Sequence, residues 1–199
     1  IHFAFASLAF VQLWLVRERG LDGGTIAKQM GVLQILFGTL GAVLGGVASD
    51  RFARHFKGGH ASVLALMVLV VAPLMLAYRF APAGSALFYI GMCAGFVLPL
   101  ATYGPANALI QALTPAHMRS TVTGATMMLI NVFAVAIGNL AVGAVSDRLT
   151  ATGSAVGLTV ALVATDVLVA CSLWFFWRAS RSGDAHLADA VDKNAVPVH

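Results

Sequence analysis

Charge constrains this chain most, through where it is missing. There are twelve Lys and Arg residues and eight Asp and Glu, and all of them except Asp166 fall in short connections or in the last residues. Between them lie six nearly uncharged segments: 1–16, 29–48, 61–78, 83–113, 120–145 and 154–177. All but the first are long enough as helices, at about 1.5 Å per residue, to cross a hydrocarbon core about 30 Å thick. A backbone in lipid must satisfy its own hydrogen bonds, so such segments are helical. Hydrophobic residues make up 59% of the chain and charged residues 10%, against about 25% charged in ordinary soluble domains. The chain therefore reads as all-α, a polytopic transmembrane helix bundle.

The first segment, at 16 residues, reaches only about 24 Å. The sequence begins at Ile1, and its first segment carries neither a basic leader nor a small-residue cleavage site, so a signal peptide is not expected here. The expectation is a fragment whose first helix has lost its start. The net charge of +4 is spread over all the connections, so no nucleic-acid patch is expected. Cys93 and Cys171 both lie in apolar segments and read as small packing residues, not as a disulfide or metal pair. No metal or cofactor is expected, and nothing matches the phosphate-binding pattern Gly-x-x-x-x-Gly-Lys-Ser/Thr.

The connections are too short to hold a soluble domain. The sequence thus divides into a membrane unit, 1–181, and a polar tail, 182–199, whose composition predicts disorder. Trp174, Phe175, Phe176 and Trp177 precede the tail as an interfacial aromatic belt would. With six alternating helices, the tail shares a side with Arg51, Arg54, Lys57, Arg119, Arg178, Arg181 and Lys193. Arg17, Arg19, Lys28, Arg79 and Arg148 fall on the other side. The excess of basic residues predicts a cytoplasmic tail.

An internal repeat adds topology. At an offset of 97 residues, Gly143, Ser146, Asp147 and Arg148 fall on Gly46, Ser49, Asp50 and Arg51. Gly138 falls on Gly41, and Asn131 on Gln34, an amide on an amide. The second helix of the first three thus matches the second helix of the last three. Three helices per unit give the two units opposite orientations, the inverted-repeat plan of secondary transporters.

The stretch "GGVASDRFARHF", 45–56, resembles the signature loop of the major facilitator superfamily, Gly-x-x-x-Asp-Arg-x-Gly-Arg-Arg/Lys. Gly46, Asp50, Arg51 and Arg54 match it, while Ala53 replaces the glycine and His55 the final base. The stretch "QALTPAHMRSTVTGATMMLINVFAVAIGNLAVGAVSDR" is similar to the tenth-to-eleventh helix region of spinster-like members and their bacterial relatives. The resemblance covers 1–181 and matches the carboxyl-terminal half of a twelve-helix transporter. It implies a partner, the amino-terminal half of the same protein, and a place in a lipid bilayer, the bacterial inner membrane. It also implies a small-molecule or lipid-like substrate, moved by alternating access with protons as the coupling ion. Gly46, Asp50, Arg51 and Arg54 would form a conformational latch. An acid at a helix C-terminus opposes the helix dipole by about 0.3–1 kcal/mol, and the latch supplies bases to offset it.

Polar residues within the segments are the candidates for a cavity. Tyr103, Asn107 and Gln111 recur at helical spacing, with Pro99 and Pro105 allowing a bend. Tyr103, Asn107, Gln34, Asn131 and Gln12 are candidate cavity-lining residues, with interhelical packing the alternative for each. Gln111 lies nearer the segment end, where it would cap or hold the Pro115 turn. Gly38, Gly41 and Gly45 form a small-residue stripe expected to admit a neighbouring helix closely. Asp166, the charge within a segment, is expected to be a proton site or a protonated carboxyl bonding a neighbouring helix.

No catalytic residues are expected. Two other functions stay open. One is a channel or non-transporting receptor. The other is a membrane enzyme, for which "LDGGTIAK" at 21–28 is faintly similar to the Asp-Gly start of phospholipid-headgroup transferases. The further aspartates those enzymes need for metal are missing after Gly31.

Overall fold

A computed structural model shows the chain as an all-helical bundle. It describes residues 2–53, 55 and 59–193, with side chains from 8 to 181 within those limits. The helices are α1 (His2–Arg17), α2 (Gly23–Phe52), α3 (Gly59–Phe80), α4 (Ala86–Ala101), α5 (Tyr103–Ala112), α6 (Arg119–Leu129), α7 (Gly138–Ala151) and α8 (Gly157–Lys193). Among the described residues there is no strand. Among the described residues, five helical stretches are long and apolar enough to cross a membrane: Gly23–Phe52, Gly59–Phe80, Ala86–Ala112, Ala116–Ala151 and Gly157–Arg181. The apolar part of α1 is shorter. The chain is an integral membrane protein of the expected all-α class.

Local chemistry sets the ends. Gly20, at φ 67°, turns the chain after α1, and the Leu21 amide donates back to the Leu15 carbonyl at 3.1 Å. This is a glycine-ended helix terminus that needs the left-handed conformation. Asp22 caps α2: its carboxylate accepts from the Thr25 amide at 2.8 Å. That hydrogen bond holds the Asp22 carboxyl below its ordinary value of 3.8. Its folded-state contribution is thus complete above that value and is lost as pH falls through the lowered one. Asp22→Ala should therefore lower the melting temperature near neutral pH and leave it unchanged at strongly acidic pH. A pH series of melts on the two proteins reads this difference.

The fourth segment is not one continuous helix. It breaks at Thr102, whose hydroxyl turns back to the Leu98 and Pro99 carbonyls at 2.9 and 3.1 Å. Pro105 has no N–H to return to the Ala101 carbonyl, which is why α4 ends at Ala101. The fifth segment runs from a short 3-10 turn (Ala116–Met118) through α6, a π-helical stretch (Ile130–Ile137) and α7. Such wide turns interrupt α-helices often at functional sites. The last helix passes Trp177 and continues to Lys193, so the backbone is helical over the first part of the tail that composition predicts to be disordered. Ala185, Leu187, Ala188 and Ala190 are strong helix formers and carry it on. Residues 194–199 lie outside the described residues.

Two apolar clusters hold the bundle. Trp14, Leu15, Ile26, Tyr78, Phe88 and Leu162 join helices from both ends of the chain. Val68, Met75, Leu98 and Val169 join α3, α4 and α8. The glycine stripe packs as expected: Gly38, Gly41 and Gly45 are buried against α4. A Cβ on Gly45 would stand 2.1 Å from the Ala101 carbonyl oxygen, the same oxygen that Pro105 leaves without a helical donor. Sequence thus sets the break in α4, and the break sets how closely α2 can lie.

Candidate functional site

Gly46, the first glycine of the signature loop, lies at the α2–α5 crossing, with its Cα 3.7 Å from where a Gly104 Cβ would stand. Asp50 and Arg51 follow on the last turns of α2 and are exposed. Neither side chain has a partner among the described residues. The adjoining Ser49 is buried, and its hydroxyl meets His60 Nδ1 at 2.7 Å, which ties the end of α2 to the start of α3. Its repeat mate Ser146 is also buried, and Asp147 and Arg148 are exposed like Asp50 and Arg51. Arg54 and Lys57 lie outside the described residues.

The five polar candidates are spread over four helical stretches. Gln12 on α1 and Gln34 on α2 are exposed and make no side-chain hydrogen bond among the described residues. Gln34 lines a shallow groove of about 580 Å³ with Gly31, Gly38, Thr39 and Leu100. Tyr103 is exposed at the start of α5, and its hydroxyl donates to the Met127 sulfur at 2.8 Å, linking α5 to α6. Asn107 is half-buried and donates to the Tyr103 carbonyl at 3.0 Å. Asn131, exposed in the π-helical stretch, donates to the Met127 carbonyl at 2.8 Å. Both asparagines thus use an amide N–H on a backbone carbonyl four residues earlier in the same span. Gln111 is exposed near the end of α5, beside the Pro115 turn.

Asp166 is tied to a neighbouring helix. Its Oδ2 accepts from Arg79 Nε at 2.8 Å, with both side chains almost fully buried. Sequence reading puts Arg79 in the third connection as one of the basic residues of the side opposite the tail. It belongs instead to the last turn of α3 and does not count as a loop charge. Its guanidinium lies 4.4 Å from the Tyr78 ring centroid and 5.0 Å from that of Trp14. Arg19 donates to the Arg79 carbonyl and stacks on Trp14 at 4.9 Å. Glu18 accepts from the amides of Leu158 and Thr159 at 2.7 and 3.0 Å, which caps α8 from a residue about 140 positions away. Trp14 Nε1 donates to the Thr159 hydroxyl at 2.7 Å. Buried charges need both a counter-charge and hydrogen bonds, and aromatic faces add cation–π attraction. The cluster joins α1, α3 and α8 at one end of the bundle. Sequence reading missed it, although Arg79 beside an apolar segment and Asp166 inside one were the visible signal.

The described residues form a helical bundle with a broken fourth span and a glycine-lined close crossing of α2 and α4. Among solved structures, the chain is similar to the crystal structure of a bacterial homolog to the human lysosomal transporter Spinster, in an inward-facing and unoccupied conformation. The TM-score is 0.74 at 17% identity, and the match covers 99% of this chain and 48% of that one. The chain has the fold of about half of that transporter. No protein-family model and no curated protein sequence matches it.

Proposed function

We propose that this chain is one half of a secondary active transporter, working with an amino-terminal half of the same protein in the bacterial inner membrane. It moves a small or amphipathic solute by alternating access, with protons as the coupling ion and with the tail on the cytoplasmic side. The observation that carries this is the fold correspondence of nearly the whole chain with half of a known transporter. The polar candidates support it. An amide facing hydrocarbon without a partner costs several kcal/mol, about 4–8 on the most apolar reference scale. Gln12 and Gln34, exposed on otherwise apolar helices, are better matched to a wet cavity shared with the other half than to lipid.

The test is uptake by the full-length gene product in proteoliposomes with a trapped pH dye, using lysophospholipids and amphipathic organic anions as solutes. Saturable uptake with acidification is expected for one of these. Solute flux that neither saturates nor shows counterflow would mark a pore and overturn the carrier.

The latch has its own result. A charge-assisted hydrogen bond contributes about 1.5–3 kcal/mol, so if Asp50 makes one in a single conformation, its loss shifts the balance between conformations. Asp50→Asn should slow initial uptake roughly tenfold or more, with insertion unchanged. Arg51→Gln should resemble it, and the double variant should lose less than the two singles combined. Asp147→Asn, at the repeat mate, should be milder. Wild-type rates for both aspartate variants would remove the latch.

A further inference from the structure

Between the first half of α3 and the middle of α8 runs an apolar groove of about 690 Å³, lined by Leu66, Leu69, Cys171, Trp174 and Trp177. It shares no residue with the polar candidates. Its character changes along its length. The middle is made of aliphatic side chains. At the tail end the two tryptophans lie with ring centroids 5.4 Å apart, and Ser62 and Ser180 bring the first hydroxyls. Past them, the Arg181 guanidinium lies 3.8 Å above the Trp177 ring centroid. Stacking uses the guanidinium's face, and its edge, a planar fork of N–H donors with no hydrogen-bond partner among the described side chains, can meet an oxyanion. Because the ring already holds that cation in place, less conformational freedom is lost when an anion docks.

We infer that this groove binds an anionic phospholipid from the leaflet on the tail side, with an acyl chain along α3 and α8 and the phosphate on Arg181. The order of chemistry along the slot is that of a phospholipid: apolar chain, aromatic and hydroxyl interface, cation at headgroup level. A transmembrane helix of a partner would match the apolar length but gives no use for a cation held at the end. A basic residue near a membrane surface favours an anionic lipid by roughly fivefold in affinity.

Two of the three tryptophans line the groove and the third, Trp14, is fully buried, so intrinsic fluorescence reports on occupancy. The purified chain in detergent is titrated with phosphatidylglycerol and with phosphatidylcholine, each brominated on one acyl chain. Saturable quenching is expected, at several-fold lower lipid for phosphatidylglycerol. Arg181→Gln, on an exposed residue outside the packed bundle, should weaken phosphatidylglycerol binding roughly fivefold and bring the two lipids together. Ala65→Phe, which fills the slot, should abolish saturable quenching by both. Circular dichroism checks that this variant is folded. Quenching that rises linearly with either lipid would mean bulk solvation only and would overturn the site. An unchanged lipid preference in Arg181→Gln would also overturn it. Efficient cross-linking of two copies through Cys171, which is exposed beside the groove, would assign the face to a dimer instead.

Discussion

Asp166→Ala should destabilise the bundle by about 3–5 kcal/mol, the cost of leaving one member of a buried ion pair without its partner. Arg79 is 2% exposed, and its side chain, enclosed by Trp14 and Tyr78, has no short route to water. For a chain of this length, about 2–4 °C in melting temperature accompanies each kcal/mol, so a fall of roughly 10 °C is expected. Arg79→Leu should cost a similar amount by stranding the carboxylate. The double variant Arg79→Leu with Asp166→Leu should recover most of the loss, because apolar residues of similar volume often replace a buried pair at little cost. Arg79→Lys should remain impaired. An ammonium offers a point charge where the structure uses a planar group stacked on two rings. Thermal melts in detergent, followed by loss of monodisperse protein, measure all four. A single variant that melts within a degree of the parent would show that the pair is solvated or dispensable.

Gly45→Val should be the most damaging single change in α2. Even one added carbon meets the backbone of Ala101, whose carbonyl oxygen would lie at 2.1 Å and Cα at 2.5 Å. Backbone atoms cannot rotate away as a side chain can, so α2 and α4 must separate along their length. Overpacking usually costs about 1–3 kcal/mol, and this site belongs at or above the top of that range. Gly41→Val should follow closely, with the Val97 carbonyl oxygen at 2.6 Å. Gly38→Ala should be milder, since the obstacle is the Leu100 side chain at 2.8 Å. Gly31→Ala is the control: nothing lies within 4 Å of its added Cβ, and alanine is the better helix former by about 1 kcal/mol. Melting order should therefore run Gly31→Ala, Gly38→Ala, then the two valine variants. Equal melting of Gly45→Val and Gly31→Ala would show that the crossing is looser than described.

Hydropathy made much of the fold legible. Lipid leaves an apolar segment no choice but a helix, so the existence of the second and third spans was readable, but α2 starts six residues before the uncharged segment 29–48 and ends four after it, because its capped start and charged last turn are helical too. The close crossing at Gly38, Gly41 and Gly45 was also readable, because only small residues at helical spacing let two backbones approach. The candidate site was less so. Asn107 and Asn131 have residue types suited either to a cavity or to a bond within the helix. Their amide N–H groups do bond within the span, and spacing alone does not separate those uses.

By itself, the sequence determined that this is an integral membrane bundle, which residues can lie in lipid, and where glycine allows contact. These follow from local chemistry: the transfer cost of charge, the self-sufficiency of a helix, and the size of a side chain. Only the tertiary structure decided that Arg79 is an interior residue and not a loop charge, since its place depends on Asp166, 87 residues later. The same holds for Glu18, whose role is to cap a helix about 140 residues away. Whether a charge at the edge of an apolar segment turns outward to water or inward is set by what waits inside, and that partner comes from a distant part of the chain.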